Sequence, residues 1–116
     1  MKLIKSFRNA INGFLIAWRE QRNLKIHSLA VVLVTVAGFY FEFTYTDWSL
    51  VILAIGLVMG LEVMNSSVED LVNFVSPEKR KEAGRIKDLA AGAVLVTAIA
   101  ALVLGVIIIW NKIYFF

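Results

Sequence analysis

The sequence predicts an all-α integral membrane protein: an N-terminal amphipathic surface helix followed by three transmembrane helices. Three observations carry that prediction. Hydrophobic residues fill 59% of the 116 positions and charged residues only 18%, with a mean hydropathy of +0.76. A soluble domain would carry about a quarter charged residues and would have too little interior for so many apolar side chains. The apolar residues fall in runs long enough to cross a hydrocarbon core of about 30 Å. Finally, every Lys and Arg except Lys112 lies within residues 2–25 or 79–87, and none lies between Lys25 and Lys79. That is the asymmetry of membrane topology, not the basic face of a nucleic-acid-binding protein. Cysteine is absent, which excludes a disulfide scaffold and a thiolate metal site.

The elements follow in order within one membrane domain, residues 1–116. Leu3, Ile4, Phe7, Ile11, Phe14, Leu15 and Trp18 recur at intervals of three and four, with Lys2, Lys5, Arg8, Asn9, Asn12 and Arg19 largely on the other faces. This makes residues 1–22 an amphipathic helix suited to an anionic leaflet. Residues 26–45 form the first span, since about twenty residues at 1.5 Å each reach about 30 Å. Tyr40, Phe41, Phe43, Tyr45 and Trp48 then gather around a turn as an interfacial aromatic belt, and Asp47 is placed to cap the next helix. The second span, 48–72, is apolar through Leu61 and then acquires a polar face of Glu62, Asn65, Ser66, Glu69 and Asn73. Residues 76–87 read as a loop and turn holding Pro77 and the basic run Lys79-Arg80-Lys81. The third span, 88–111, contains the uncharged tract Leu89–Trp110, followed by Tyr114, Phe115 and Phe116 at the far interface.

The positive-inside rule places the N-terminus and the 76–87 loop in the cytoplasm and the C-terminus outside, giving a multi-pass protein of the cell inner membrane. Gly56 and Gly60 are spaced for close helix contact. A polar stripe on the second helix needs a protein neighbour, so a homo-oligomer is expected, its subunit number not fixed by the residues.

Glu62, Asn65 and Glu69 are the sharpest chemical feature, because spacings of three and four bring them onto one stripe about 10 Å long. A carboxylate at membrane depth is costly unless paired or used, and two on one face need a proton, a cation or a basic side chain between them. The stripe reads as a functional polar site; a structural network or a solvated helix end is the other reading. Lys87-Asp88 comes second: Lys87 either snorkels to anionic head groups or offers a point charge to a phosphate, with Asp88 orienting it or assisting a metal. The segment Glu20-Gln21-Arg22-Asn23 lies close in depth to the end of the second span and is expected to face Glu69. His27, one turn on, reads as an interfacial hydrogen-bonding residue, and Trp18 as an interface anchor. The chain has no phosphate-binding glycine loop and no dinucleotide fingerprint. Any ATP chemistry therefore rests on carboxylate-held metal ions and basic side chains.

Glu62-Val-Met-Asn65-Ser-Ser-Val-Glu69, with Gly84-Arg-Ile-Lys87-Asp88-Leu-Ala-Ala-Gly-Ala-Val94 further on, resembles the small prokaryotic diacylglycerol kinase family, which also contains the undecaprenol kinases. Arg22-Asn23-x-x-Ile26-His27 and Pro77-Glu78 extend the match over nearly the whole chain. The resemblance implies a homotrimer with active sites between subunits, near the cytoplasmic face. It implies Glu62 as general base with Asn65 beside it, Glu69 as a metal ligand, and Lys87 and Asp88 in the phosphate-handling tract. A second metal-binding glutamate of the family falls at Gln21 here, whose neutral amide cannot replace a carboxylate's charge; either Glu20, one residue earlier, supplies the carboxylate or that metal contact is weakened. The implied reaction transfers the γ-phosphate of ATP, with Mg2+, to a membrane lipid hydroxyl, diacylglycerol giving phosphatidic acid. Undecaprenol is the alternative acceptor, and Arg22-Asn23-x-x-Ile26-His27 and Pro77-Glu78 resemble the undecaprenol-type members somewhat more. A reading of another class is a non-enzymatic membrane subunit or small ion transporter using the Glu62/Glu69 face as a polar relay.

Overall fold

The structure is a computed structural model describing residues 1–115; the interfacial role expected of Phe116 lies outside the described residues. Four helices run in order: α1 Lys2–Glu20, α2 Arg22–Tyr40, α3 Tyr45–Val75 and α4 Lys81–Tyr114. The last three are each long and apolar enough to cross a membrane. α1 is 19 residues long and leaves Leu3, Ile4, Phe7 and Ile11 exposed.

α3 and α4 pack against each other along their length, while α2 lies more lightly on α3. Two polar contacts fix the antiparallel register. Lys112 Nζ sits 2.9 Å from Asp47 Oδ2 at one end, and Lys87 Nζ donates to Asn73 Oδ1 at 2.5 Å at the other. Asp47 and Asn73 are about 39 Å apart at 1.5 Å per residue. That exceeds the thickness of a hydrocarbon core, so both polar pairs reach interfacial depth. The buried stripe of α3 is Val51, Val58, Glu62, Asn65, Ser66 and Val72. Few other side chains are enclosed, and Leu95, Val96, Leu102 and Ile107 of α4 point outward. A Cβ at Gly56 or Gly60 would meet nothing within 4 Å, so the close helix contact expected there is not made with this chain's own helices. Both glycines lie off the α3 stripe that α4 covers.

The helix ends differ from the sequence expectation in three places, each for a local reason. First, α1 and α2 are separated by Gln21 alone, in extended geometry. The elbow is tied by Trp18 Nε1 donating to Ser28 Oγ at 3.0 Å and by Lys25 Nζ donating to the Arg19 carbonyl at 3.3 Å. Trp18, expected as an interface anchor, is thus a tertiary contact. Second, α2 ends at Tyr40, so Tyr45 opens α3 and does not close the first span. Glu42 takes φ 54° while Phe43 N–H donates to Gly38 O at 2.9 Å, which is the left-handed stop that terminates many helices. Thr44 then caps α3: its Oγ1 accepts from Asp47 N–H at 3.1 Å, and Asp47 Oδ2 accepts from Thr44 N–H at 3.0 Å. Asp47 is the third-residue half of a capping box, not the cap residue itself. Third, α4 starts at Lys81, so only residues 76–80 are non-helical where a loop and turn over 76–87 was expected. Residues 81–87 contain no proline and extend the helix beyond the apolar tract, which hydropathy alone does not report.

The α2–α3 turn depends on one glycine. A Cβ on Gly38 would overlap the Trp48 indole, lying 2.6 Å from Cζ2, and that ring is flanked by Phe39 and Phe43 at 5.3 Å each. Gly38→Ala gains about 1 kcal/mol of helix propensity but forces the ring out of its aromatic pair at about 1–3 kcal/mol. We expect a lower unfolding midpoint in detergent, with Gly38→Val worse. An unchanged midpoint for both would refute the packing argument.

Candidate functional site

Glu62 lies in the middle of α3 and is only 2% exposed. An ionised carboxylate so enclosed needs partners, and α2 supplies one for each oxygen. Asn23 Nδ2 donates to Oε1 at 3.4 Å, and His27 Nε2 stands 3.4 Å from Oε2. The two come from consecutive turns of one helix face, spaced i and i+4, because α2 already begins at Arg22. No other cationic or imidazole side chain lies within 4.0 Å of Glu62 among the described residues. Ser66 Oγ donates back to the Glu62 carbonyl at 3.1 Å and so turns away from the carboxylate. Asn65, 9% exposed, shares the stripe, and its Oδ1 is buried without a hydrogen-bond partner. Such an acceptor costs about 1–3 kcal/mol unless a donor is supplied.

Beside this cluster runs an apolar groove of about 550 Å³ between α2 and α4, with α3 as its floor. Val34, Ala54, Val58, Ala101 and Trp110 line it, and His27 is among the lining residues. The imidazole therefore stands where apolar space meets the buried carboxylate.

The remaining sequence candidates form separate groups. Lys87 is held by Asn73, eleven residues beyond Glu62 on α3, which is about 16 Å along the axis. Asp88 is exposed beside it, and Glu69 is half-buried between the two levels with no ion-pair partner among the described residues. Glu20 ends α1, exposed, and Gln21 is the half-buried elbow residue. Among the described residues no group of three or more His, Asp or Glu side chains gathers to hold a metal ion. Asn23 faces Glu62, not Glu69 as expected of its segment. Sequence reasoning also missed His27 and Asn23 as partners of the buried carboxylate. Their four-residue spacing was the available signal, but which α3 residue they meet depends on the turn at residues 41–44.

The family model for prokaryotic diacylglycerol kinase matches residues 8–109. An undecaprenol kinase of Bacillus subtilis is 32% identical over 111 residues, covering 96% of this chain and 90% of that protein. A diacylglycerol kinase of Synechocystis is 38% identical over 104 residues, 89% of this chain but 59% of the relative. The diacylglycerol kinase of Escherichia coli K12 is 28% identical over 110 residues, 95% of this chain and 90% of its own.

Proposed function

The chain belongs to the prokaryotic diacylglycerol kinase family, and we propose that it is a membrane lipid kinase whose phosphoryl transfer centres on Glu62. The observation that carries this reading is a buried carboxylate, held through both oxygens, at the edge of a lateral apolar groove. That is where a lipid hydroxyl can meet a base without leaving the membrane.

In this reading Glu62 accepts the hydroxyl proton as the lipid oxygen attacks the γ-phosphorus of ATP. Asn65, buried on the same stripe, donates a hydrogen bond from its amide NH2 to the acceptor oxygen and orients it. Lys87 and Asp88 serve the outer phosphates from the helix end, the triphosphate and the long lysine stem together spanning the way from Glu62, so the nucleotide stays on the water side while the lipid stays in hydrocarbon. Lys87 is held by the neutral Asn73 amide, which positions the ammonium without cancelling its charge. Magnesium keeps several waters and binds through one or two carboxylates plus substrate phosphates. Glu69, without an ion-pair partner among the described residues, fits that need, with Glu20 as the second carboxylate beside Gln21. When bound, the ion offsets the charge on the transferred group.

Assembly belongs to the same proposal: a homotrimer with sites shared between subunits, which the uncovered Gly56 and Gly60 face supports. So does the orientation, with the N-terminus and residues 76–87 in the cytoplasm of a cell inner membrane and the C-terminus outside. Its far-side cation, Lys112, is neutralised by Asp47, which removes the one charge that argues against that topology. The surface placement of α1 rests on its exposed apolar residues and its basic remainder.

Diacylglycerol, giving phosphatidic acid, is the first acceptor reading. Undecaprenol, giving undecaprenyl phosphate, is the second, and one observation favours it. Asn23 and His27, the two side chains on Glu62, belong to the Arg22-Asn23-x-x-Ile26-His27 segment that resembles undecaprenol-type members. The test is magnesium-dependent transfer of labelled γ-phosphate from ATP in mixed micelles, with both lipids offered in parallel. We expect labelling of a lipid alcohol, and the preferred lipid assigns the acceptor. No labelling of either by folded, assembled protein, together with ion flux in proteoliposomes, would replace the kinase reading with the transporter one.

A further inference from the structure

On the kinase reading, each transfer leaves a proton that must be cleared. Transfer to an alcohol breaks the lipid O–H bond and forms the O–P bond. It also breaks the bond from the γ-phosphorus to its bridging oxygen, whose electron pair leaves on the nucleoside diphosphate. One proton is released per turnover. With Glu62 as base, that proton comes to rest on a carboxyl only 2% exposed, and it has to reach water before the next cycle.

Glu62 has two side-chain contacts to discharge through. Asn23 on Oε1 carries an amide, which does not take up a proton near neutral pH. His27 on Oε2 carries an imidazole with a 25% exposed side chain. An imidazole accepts a proton at one nitrogen and releases another from the second without turning. Among the described residues it is the only basic side chain within ion-pair distance of Glu62.

We propose that His27 relays the proton from Glu62 to water: once exchange with water has moved its own proton to Nδ1, it takes the Glu62 proton at Nε2 and gives one up from Nδ1, which leaves an Nε2–H facing the regenerated carboxylate, while Asn23 keeps the other carboxylate oxygen in place. His27 acts through Glu62 and touches neither substrate, so its part is to clear the proton from the base after transfer. The 3.4 Å separation suits a contact that tightens once substrate is bound.

The test uses the full-length protein in mixed micelles, with assembly and unfolding midpoint checked for every variant. His27→Gln keeps polar contact with Glu62 but cannot carry a proton. We expect kcat to fall roughly tenfold or more, with KM for ATP and for the lipid unchanged. In His27→Ala, added imidazole is expected to restore kcat in a concentration-dependent way, which a purely structural role would not produce. Wild-type kcat in folded His27→Gln, or no rescue of folded His27→Ala by imidazole, overturns the relay. His27→Asn replaces any variant that does not fold. Failure of the relay is separable from failure of the kinase reading: the first leaves Glu62→Gln inactive beside an active His27→Gln, and the second leaves Glu62→Gln active.

Discussion

Glu62→Gln is expected to abolish turnover, lowering kcat by roughly 10²–10⁴-fold, while the protein still folds and assembles. The substitution is nearly isosteric and removes the proton acceptor. One carboxylate oxygen becomes an NH2 group, which would clash with a donor on both sides. The structure provides an escape, because a neutral His27 can turn its unprotonated nitrogen toward that NH2 while Asn23 still donates to the remaining oxygen. Removing a buried charge also lifts a desolvation cost, so no loss of stability is expected. Glu62→Asp keeps the acid but draws it back by one methylene, and displacements near 1 Å can cost about 10² in rate. Labelled phosphate transfer at wild-type rate by purified, assembled Glu62→Gln would remove Glu62 from the chemistry.

How much of this was legible in the sequence follows from the range of each interaction. The three long helices were legible because bilayer-length apolar runs and the gap between Lys25 and Lys79 are one-dimensional signals. The helix ends were less so. The polar break over residues 42–49 signals a turn, but where each helix ends is set by backbone geometry at Glu42 and by the Thr44–Asp47 capping box. Similarly, the basic run ending at Lys81 reads as loop by composition although α4 begins there. Within the candidate site, the sharing of one face by Glu62 and Asn65 was legible because it needs only the helix repeat. The contacts of Glu62 with Asn23 and His27 were not, since they join residues 39 and 35 positions apart. Their register is decided by where α2 stops and α3 starts. Lys112 illustrates the same limit: it read as an isolated cation until the α3–α4 register set it on Asp47.

Lys87 carries the second large expected effect, and its surroundings define the experiment. Its ammonium rests on the Oδ1 of Asn73, an uncharged acceptor. A lysine meant only for structure would gain more from a carboxylate partner, which adds the attraction of opposite charges to the hydrogen bond. A lysine that must present its full charge to a polyphosphate is better held by an amide. Lys87→Met keeps the chain length and the packing of the stem and deletes the charge. We expect kcat/KM for ATP to fall by roughly two orders of magnitude, the scale of losing one electrostatic contact to a developing charge, with KM for the lipid unchanged. Lys87→Arg is expected to recover only part of the loss, because a planar fork does not substitute for a compact point charge. Asn73→Asp keeps the tether but partly neutralises the lysine, and so should raise KM for ATP while leaving the fold intact. An anchoring role at the membrane surface makes the opposite forecast: Lys87→Met would destabilise the protein and shift the lipid KM, and Asn73→Asp would strengthen the contact at no cost in activity. The two roles thus separate on which substrate's KM responds.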